Sequence, residues 1–522
     1  MINKKLLTDF FAATILISSF ILGYYSSKYN QDFHHWGLQL SYLYDYKNGF
    51  SFFDEIYLQY GQGQTVLLYF IDKVFEINFF TIGIVVQIIY CLNLIFIYKI
   101  FCSLTEKHYA LLILFFIFLI HPYIFYPWPD YYSGLCLTMA AYFFLTNKNY
   151  NILSYILAGF FLFLSIFFRT SYLITIIPAL FFFFLFYKKI FFKYKINILA
   201  LSFVFFLLIY FLYLNKDLSK WLYQGLGSIT LYAYGSNHHL MNTIIENFGE
   251  NVWIFLKLFK MSLRFLYKLF NIFSLNNFIF AFFLLINLYY LFFLHFKKKT
   301  TELNFFESKL VFLSIIGFAG FLQSFMIYET FRNINSTLGI FILGIYVIRK
   351  KNFSKKLLII IKILVTLIVI ILLQKFPNVS NYKPLVTKND GNFVKSEINY
   401  FSENHFLLKE NKIYYDKLSK VICDQNKKII NLSQDFVLPY ICNINVKKYS
   451  PMAPLFFGKI NQSQYKRIFV DYILLDDEIL ITSKVTNSEN MKRIFEINLP
   501  SGLEWFSLYD NNTKKIFGYV NY

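Results

Sequence analysis

The chain has 522 residues, of which 57% are hydrophobic and only 15% are charged, and its formal net charge is +20. A soluble globular protein is roughly 25% charged, whereas the apolar residues here form long blocks near the roughly 20 residues that a helix needs to cross a bilayer. The composition excludes an ordinary soluble domain and predicts a multi-span membrane protein. Because the basic residues lie mostly in short runs between apolar blocks, they indicate membrane topology and not nucleic-acid binding.

About eleven apolar blocks predict an all-α membrane domain over residues 1–375. The first block follows Lys4 and Lys5 without a small-residue cleavage site, so we expect an uncleaved first span. The predicted spans are 7–25, 79–98, 109–126, 131–146, 151–168, 171–187, 196–214, 273–296, 308–328, 334–348 and 357–375.

The basic clusters predict the orientation of these spans. With a cytoplasmic N-terminus, every dense basic cluster of a short loop falls on the cytoplasmic side, as expected for a multi-pass protein of a bacterial inner membrane. The loops 26–78 and 215–272 and everything beyond the last span are then outside, together with the short loops at 127–130, 169–170 and 329–333.

Residues 376–522 change character, because charged residues become frequent and no block is long enough to span. Short β-like runs at 467–474 and 478–484 predict a soluble α/β domain on the outer face. Cys423 and Cys442 both lie in this domain, where an oxidising exterior would allow them to pair. Two cysteines in one small domain also occur by chance, so the sequence leaves the disulfide open.

The loop 26–78 begins with the polar residues Asp32, His34 and His35. A carboxylate beside two imidazoles can act as a base, a phosphate partner or a metal site. The alternative is a solvated loop with incidental polar residues. A second polar cluster follows in the same loop and consists of Asp54, Glu55, Gln59 and Tyr60.

Apolar residues at roughly helical spacing separate the two clusters of this loop. They predict short helices that lie on the membrane surface. These residues are Leu38, Leu40 and Leu43, followed by Phe50, Phe52 and Phe53.

Three charged residues stand at predicted outer ends of spans. Arg169 lies between two apolar blocks, where a guanidinium is costly unless it reaches the interface or binds a group such as phosphate. Arg332 lies beside Glu329, and an exposed ion pair within the loop is its alternative. Asp130 ends the string HPYIFYPWPD, whose other residues are typical of a helix end at the membrane surface.

The long loop 215–272 contains His238 and His239 and then a basic amphipathic stretch that suits a helix among anionic headgroups. Its basic residues at helical spacing are Lys257, Lys260, Arg264 and Lys268. The sequence contains no Walker A string, dinucleotide-binding glycine motif, HExxH, GxSxG or CxxC. An ATP-driven pump and a Rossmann enzyme are therefore disfavoured.

The layout and four strings, QDFHHWG, FDEIYLQYGQG, FFRTSYL and YETFRN, resemble the GT-C glycosyltransferases, which include protein mannosyltransferases and the aminoarabinose transferase of lipid A. The resemblance implies a GT-C-like helical bundle with a C-terminal soluble α/β domain. It also implies an integral-membrane enzyme that moves a sugar from a polyprenyl-phosphate carrier to an envelope lipid, polysaccharide or protein on the outer face.

Carried over by position, the resemblance implies that Asp32 is the general base of the transfer. It implies that Arg169 and Arg332 hold the donor phosphate, with His34 and His35 as further candidates. The second acidic cluster and Asp130 become candidates for acceptor binding.

The chain departs from better-known members at two places. The His34 and His35 pair leaves open a divalent metal held with Asp32, and the lack of an Arg-Tyr pair followed by prolines near Arg332 puts the role of Arg332 in doubt. Two alternatives from other classes also stay open. One is a lipid-linked oligosaccharide ligase, polymerase or flippase, and the other is a non-enzymatic membrane scaffold.

Overall fold

The structure is a computed structural model, in which the chain forms two compact units. Unit 1 consists of Met1–Leu22, Gln87–Ile124 and Pro129–Lys383, and unit 2 of Gly23–Val86, Phe125–Trp128 and Pro384–Tyr522. The residues it describes are 4–29, 33, 35–54, 56, 58, 60–104, 106–121, 127–146, 151–222, 224–225, 392–396, 405–423, 427–431, 433, 435, 437, 473–483, 489–500, 503, 514–522 and single positions between 247 and 314.

Helices dominate the described part before residue 225. They are α1 (Lys4–Lys28), α2 (His35–Lys47), α3 (Gly63–Asp72), α4 (Thr81–Leu104), α5 (Lys107–Ile120), α6 (Pro129–Thr146), α7 (Ile152–Phe168), α8 (Leu173–Phe186), α9 (Lys188–Lys193) and α10 (Ile196–Leu214), with 3-10 turns at Thr170–Tyr172 and Asn215–Asp217.

Three described helical stretches are long and apolar enough to cross a membrane, namely Leu6–Lys28, Thr81–Leu104 and Ile196–Leu222. Each of the first seven predicted spans overlaps a helix, because an apolar block of that length satisfies its backbone hydrogen bonds internally only as a helix. The last four predicted spans, 273–296, 308–328, 334–348 and 357–375, lie outside the described residues. The total of eleven therefore stays a prediction.

Helices α7 and α10 of unit 1 pack closely because Gly159 has no side chain. A Cβ atom at Gly159 would lie 2.5 Å from the carbonyl oxygen of Leu199 and 2.7 Å from Cβ of Ser202. Ser202 Oγ donates to the carbonyl oxygen of Ile156 at 2.9 Å, and Tyr155 Oη donates to that of Tyr194 at 2.9 Å. Small residues and hydrogen bonds across the contact are typical of helices that associate in a membrane.

The described residues in the C-terminal part of unit 2 form six strands and one helix. The strands are β1 (Phe393–Lys395), β2 (Phe406–Leu408), β3 (Lys428–Asn431), β4 (Glu478–Thr482), β5 (Met491–Asn498) and β6 (Lys515–Asn521), and the helix is α11 (Lys409–Cys423). The sheet order is β3-β4-β6-β5, with β3 parallel to β4 and the other pairs antiparallel, while β1 and β2 form a separate antiparallel pair. Of the two predicted β-like runs, 478–484 contains β4, and 467–472 lies outside the described residues.

The loop 26–78, called the first loop below, shares one hydrophobic core with the C-terminal domain. The core joins side chains of α2 and α3 to those of α11 and the sheet. Its members from the first loop and the start of α4 are Phe33, Trp36, Leu40, Leu43, Leu68, Ile77, Phe79 and Ile82. Its C-terminal members include Leu407, Tyr414, Tyr415, Leu418, Ile422, Ile429, Ile479, Ile481, Ile497 and Ile516.

This core corrects the interpretation of the apolar residues in the first loop. The helix predicted at Leu38, Leu40 and Leu43 exists as α2, but all three side chains are buried within the protein and do not cover a membrane surface. The segment from Phe50 to Phe53 is not helical. It forms a tight turn in which Phe53 has φ 68° and its N–H donates to the carbonyl oxygen of Ile56 at 2.9 Å.

The cysteines separate into two chemical states. Cys423, at the end of α11, is disulfide-bonded, and Cys442 lies outside the described residues. Cys91, Cys102 and Cys136, on α4 and α6, are free thiols.

Candidate functional site

The polar start of the first loop is built around Phe33. The carbonyl oxygen of Phe33 accepts a hydrogen bond from the N–H of Gly37 at 3.1 Å, so residue 33 closes the first turn of α2. Its ring is fully buried. His35 is the first residue of α2, and the neighbouring Asp32 and His34 lie outside the described residues.

His35 contacts an aromatic group that the sequence did not lead us to expect. Its ring centroid lies 4.7 Å from that of Trp128, and Tyr60 meets the same indole edge-on at 5.1 Å. Gln64 Nε2 donates to the carbonyl oxygen of Pro127 at 2.7 Å and ties this segment to α3. His35 and Trp128 are half-buried, so this group keeps an accessible aromatic surface.

The second predicted cluster of the first loop is divided by the structure. Tyr60 is 8% exposed and belongs to the aromatic group with His35 and Trp128, whereas Asp54 is exposed in the tight turn after Phe53. Glu55 and Gln59 lie outside the described residues.

In unit 1 the structure brings two predicted site residues together. Asp130 lies in the first turn of α6 and Arg169 directly follows α7, and an Nη atom of Arg169 forms an ion pair with the Asp130 carboxylate. The two side chains are only 6% and 2% exposed for Arg169 and Asp130 respectively. A carboxylate in the first turn also interacts favourably with the helix dipole.

One hydroxyl group bonds the guanidinium of this ion pair, and further contacts involve residues next to Asp130 and Arg169 in the sequence. Arg169 Nε donates to Ser171 Oγ at 3.0 Å, and Ser133 Oγ donates to the carbonyl oxygen of Pro129 at 2.9 Å. Thr170 lies against Gly225, where an added Cβ would be 2.4 Å from Cβ of Thr170. The guanidinium is therefore buried between Asp130 of α6 and Ser171 of the turn that follows α7.

A second buried polar group joins His121 and Tyr131, on either side of Asp130 in the sequence, with Tyr90 of α4, and the sequence did not predict it. His121 Nε2 lies 3.1 Å from Tyr131 Oη, and the ring of Tyr90 lies 4.3 Å from that of His121. All three residues are at most 2% exposed. In the sequence, the string that contains His121 is typical of a helix end, and Tyr90 differs from its apolar block only by one hydroxyl group.

Several predicted site residues fall in parts that the structure does not describe. They are Asp32, His34, Glu55, Gln59 and Arg332, together with His238, His239 and most of the basic stretch after them. Among the described residues no group of three or more His, Cys, Asp or Glu side chains is arranged to hold a metal ion. Of the predicted metal ligands Asp32, His34 and His35, only His35 lies in the described part.

No known protein family matches the sequence, and no curated protein matches it. Solved structures that match this chain include the oligosaccharyltransferase of Archaeoglobus fulgidus, crystallised as a complex with zinc and sulfate. The TM-score is 0.45 at 12% sequence identity, and the match covers 78% of this chain and 55% of that chain. The present chain thus spans about half the length of that protein.

Proposed function

We propose that the protein is a membrane glycosyltransferase of the GT-C type, which transfers a sugar from a polyprenyl-phosphate donor to an acceptor in the cell envelope. The observation that carries the proposal is the contact of His35 with Trp128. It brings the polar start of the first loop against the segment that precedes α6, and it provides an aromatic surface beside the segment that contains Asp32. Aromatic rings with one accessible face are suited to the C–H edge of a sugar.

In this proposal Asp32 is the general base. Its carboxylate takes the proton of the acceptor hydroxyl as that oxygen attacks the anomeric carbon of the donor. The bond between the anomeric carbon and the phosphate oxygen breaks, and the electron pair leaves with the polyprenyl phosphate. Asp54, Glu55, Gln59 and Tyr60 are proposed to contact the acceptor.

The developing charge on the departing phosphate needs cationic partners. Arg169 and Arg332 are proposed for this role, with His34 and His35 as further hydrogen-bond donors. Arg169 has five N–H donors in a planar fork, and the described contacts direct its Nε to Ser171 and one Nη to Asp130. Asp130 would then orient Arg169 and balance its charge in the absence of donor.

Asp32, His34 and His35 are the residues that we propose as ligands of a divalent metal ion. A carboxylate with imidazole ligands suits several divalent ions. If such an ion is bound, it would stabilise negative charge on the leaving phosphate. The test is whether added divalent ions restore transfer to His34→Ala or His35→Ala variants. A modest loss that ions do not change would favour a role of the histidines in orienting Asp32 or contacting phosphate.

The proposed location is a bacterial inner membrane, with the first loop and the C-terminal domain on the outer face. The disulfide at Cys423 supports an outer location of the C-terminal domain, because disulfides persist in oxidising compartments. The free thiols are on helices of the apolar part of the chain.

The direct test is mass spectrometry of envelope glycans and lipid-linked sugars from cells with and without the protein. Loss of one sugar unit from an acceptor, with accumulation of its polyprenyl-phosphate form, is expected. Accumulation of a complete lipid-linked oligosaccharide would instead favour the ligase or flippase function. Unchanged glycans and donors would contradict all of these enzymatic functions and favour the scaffold.

The role of Asp32 is tested by Asp32→Asn, which keeps nearly the same size. Transfer should fall by about 10²-fold or more, the usual scale of general-base catalysis, while expression stays normal. Asp477→Asn is the matched control, because Asp477 is an exposed carboxylate paired with Lys428 in the C-terminal domain. Wild-type transfer by Asp32→Asn would remove the catalytic assignment.

A further inference from the structure

The first loop is attached to the C-terminal domain by an aromatic contact just before Asp32. Tyr29 is 8% exposed, and its ring stacks on Phe406 of β2 with centroids 5.2 Å apart and an interplanar angle of 19°. Phe393 of β1 meets the same ring edge-on at 5.2 Å. The pair of strands β1 and β2 therefore fixes the position of residue 29.

A second aromatic contact lies just after Asp32. The fully buried ring of Phe33 meets Tyr415 of α11 edge-on, with centroids 5.1 Å apart, and it lies 5.4 Å from Phe79. The backbone of Phe33 is also fixed, because its carbonyl oxygen accepts the hydrogen bond from Gly37. Residue 33 is thus held by its ring and by its main chain.

Tyr415 itself is held from within the C-terminal domain. Its hydroxyl donates to Asp435 Oδ1 at 3.2 Å, and the hydroxyl of Tyr414 donates to Oδ2 of the same carboxylate at 3.1 Å. Tyr415 and Asp435 are fully buried. The side chain of Tyr415 that contacts Phe33 is therefore anchored at its hydroxyl group.

We propose that the C-terminal domain is a positioning element for the transfer reaction, which holds Tyr29 and Phe33 at the two ends of the segment that carries Asp32. The proposal rests on the proposed role of Asp32 as the base. Consecutive Cα atoms lie about 3.8 Å apart, so a shift of Tyr29 or Phe33 would be passed on over at most three peptide units to residue 32. A displacement of a catalytic group by about 1 Å can cost on the order of 10²-fold in rate.

The test compares Tyr415→Leu with Tyr414→Leu in the full-length protein. Both tyrosines are buried on α11 and donate to Asp435, so the two variants lose similar packing and one hydrogen bond each. Of these two tyrosines, Tyr415 is the one with a described ring contact to Phe33. We expect Tyr415→Leu to lower transfer at least about tenfold more than Tyr414→Leu through kcat, with KM for the donor little changed. Tyr415→Phe keeps the ring and should retain most of the transfer.

Hydrogen exchange gives a readout that does not depend on activity. Amides of residues 26–47 should exchange faster in Tyr415→Leu than in Tyr414→Leu, while those of α6 and α7 stay unchanged. Equal exchange of the first loop in both variants, or equal loss of transfer, would overturn the proposal. If Asp32→Asn transfers sugar normally, the proposed base is wrong, and the exchange result still decides whether the domain holds the loop.

Discussion

Asp130 and Arg169 form a buried ion pair whose two partners depend on one another. Each side chain is almost fully withdrawn from solvent, so each pays a desolvation cost that its partner and nearby hydroxyl groups offset. Such a pair adds little net stability compared with apolar residues of the same size. Loss of one partner is different, because it leaves a single uncompensated charge inside the protein.

We predict that Arg169→Met destabilises unit 1 by about 3–5 kcal/mol, the usual cost of an unpaired buried charge. The double variant Asp130→Asn with Arg169→Met should recover part of that loss. Arg169→Lys should be milder, since lysine keeps the charge but loses the planar fork. Thermal unfolding of the purified protein in detergent measures all three.

The same variants separate the two roles of Arg169. If Arg169 also holds the donor phosphate, the double variant regains stability but not transfer. If the pair is purely structural, transfer returns together with the unfolding temperature. Equal stability of the single and double variants would contradict the ion pair as the dominant interaction.

Asp435 is a buried carboxyl group whose titration affects the C-terminal domain. It accepts hydrogen bonds from Tyr414, Tyr415 and the N–H of Val437, but burial outweighs them and raises its pKa from 3.8 to about 7. The folded state therefore retains a proton that the unfolded state loses above pH 3.8. This stabilising contribution is full below that pH, declines as the pH rises, and is lost above about pH 7.

We predict that Asp435→Asn removes this dependence. As the pH rises from about 4 to about 7, ionisation of Asp435 should destabilise only the wild type. The unfolding temperature of Asp435→Asn should therefore rise relative to that of the wild type over this range. Unfolding scans of both proteins across this range measure the difference. A difference that is independent of pH would show that Asp435 does not titrate there.

At the scale of elements, the close contact of α7 and α10 depends on one glycine. The missing side chain of Gly159 allows the carbonyl oxygen of Leu199 and the side chain of Ser202 to approach. Gly159→Leu would force these helices apart, and overpacking of this kind typically costs about 1–3 kcal/mol. Lower yield and a lower unfolding temperature are expected.

Leu153→Met is the control for Gly159→Leu, because Leu153 is on the same helix but is 59% exposed and should tolerate the change. A Gly159→Leu variant with wild-type stability would mean that α7 and α10 are free to separate.

The sequence predicted elements better than it predicted contacts. Helices α1, α4, α7 and α10 follow from long apolar blocks, and β4 follows from a short β-branched run. The pairing of Asp130 with Arg169 could not be predicted, because their sequence separation matches no local pattern. Leu40 and Leu43 show the same limit, since an apolar helix face fits a membrane surface and a protein core equally well.

At the scale of the whole molecule, sequence order and structural units differ. Unit 2 contains both the first loop and the C-terminal residues, whose side chains form one core. Because one hydrophobic core has to be completed by both segments, they lie on the same side of any membrane that α1 and α4 cross. The orientation of the C-terminal domain therefore also fixes that of the first loop and of Asp32.

We predict that this common side is the outer face. The dense basic clusters of the short loops all fall on the opposite side if the number of spans is odd, and the disulfide at Cys423 fits an oxidising compartment. A reporter that is active only in the cytoplasm should stay silent when it is fused after Tyr522, and a reporter that is active only outside should give a signal. The same pair of reporters fused after Lys47, in the first loop, should give the same answer, because α2 shares its core with α11. A strong cytoplasmic signal after Tyr522 but not after Lys47 would contradict both the odd number of spans and the shared core, since no membrane can separate two halves of one hydrophobic core.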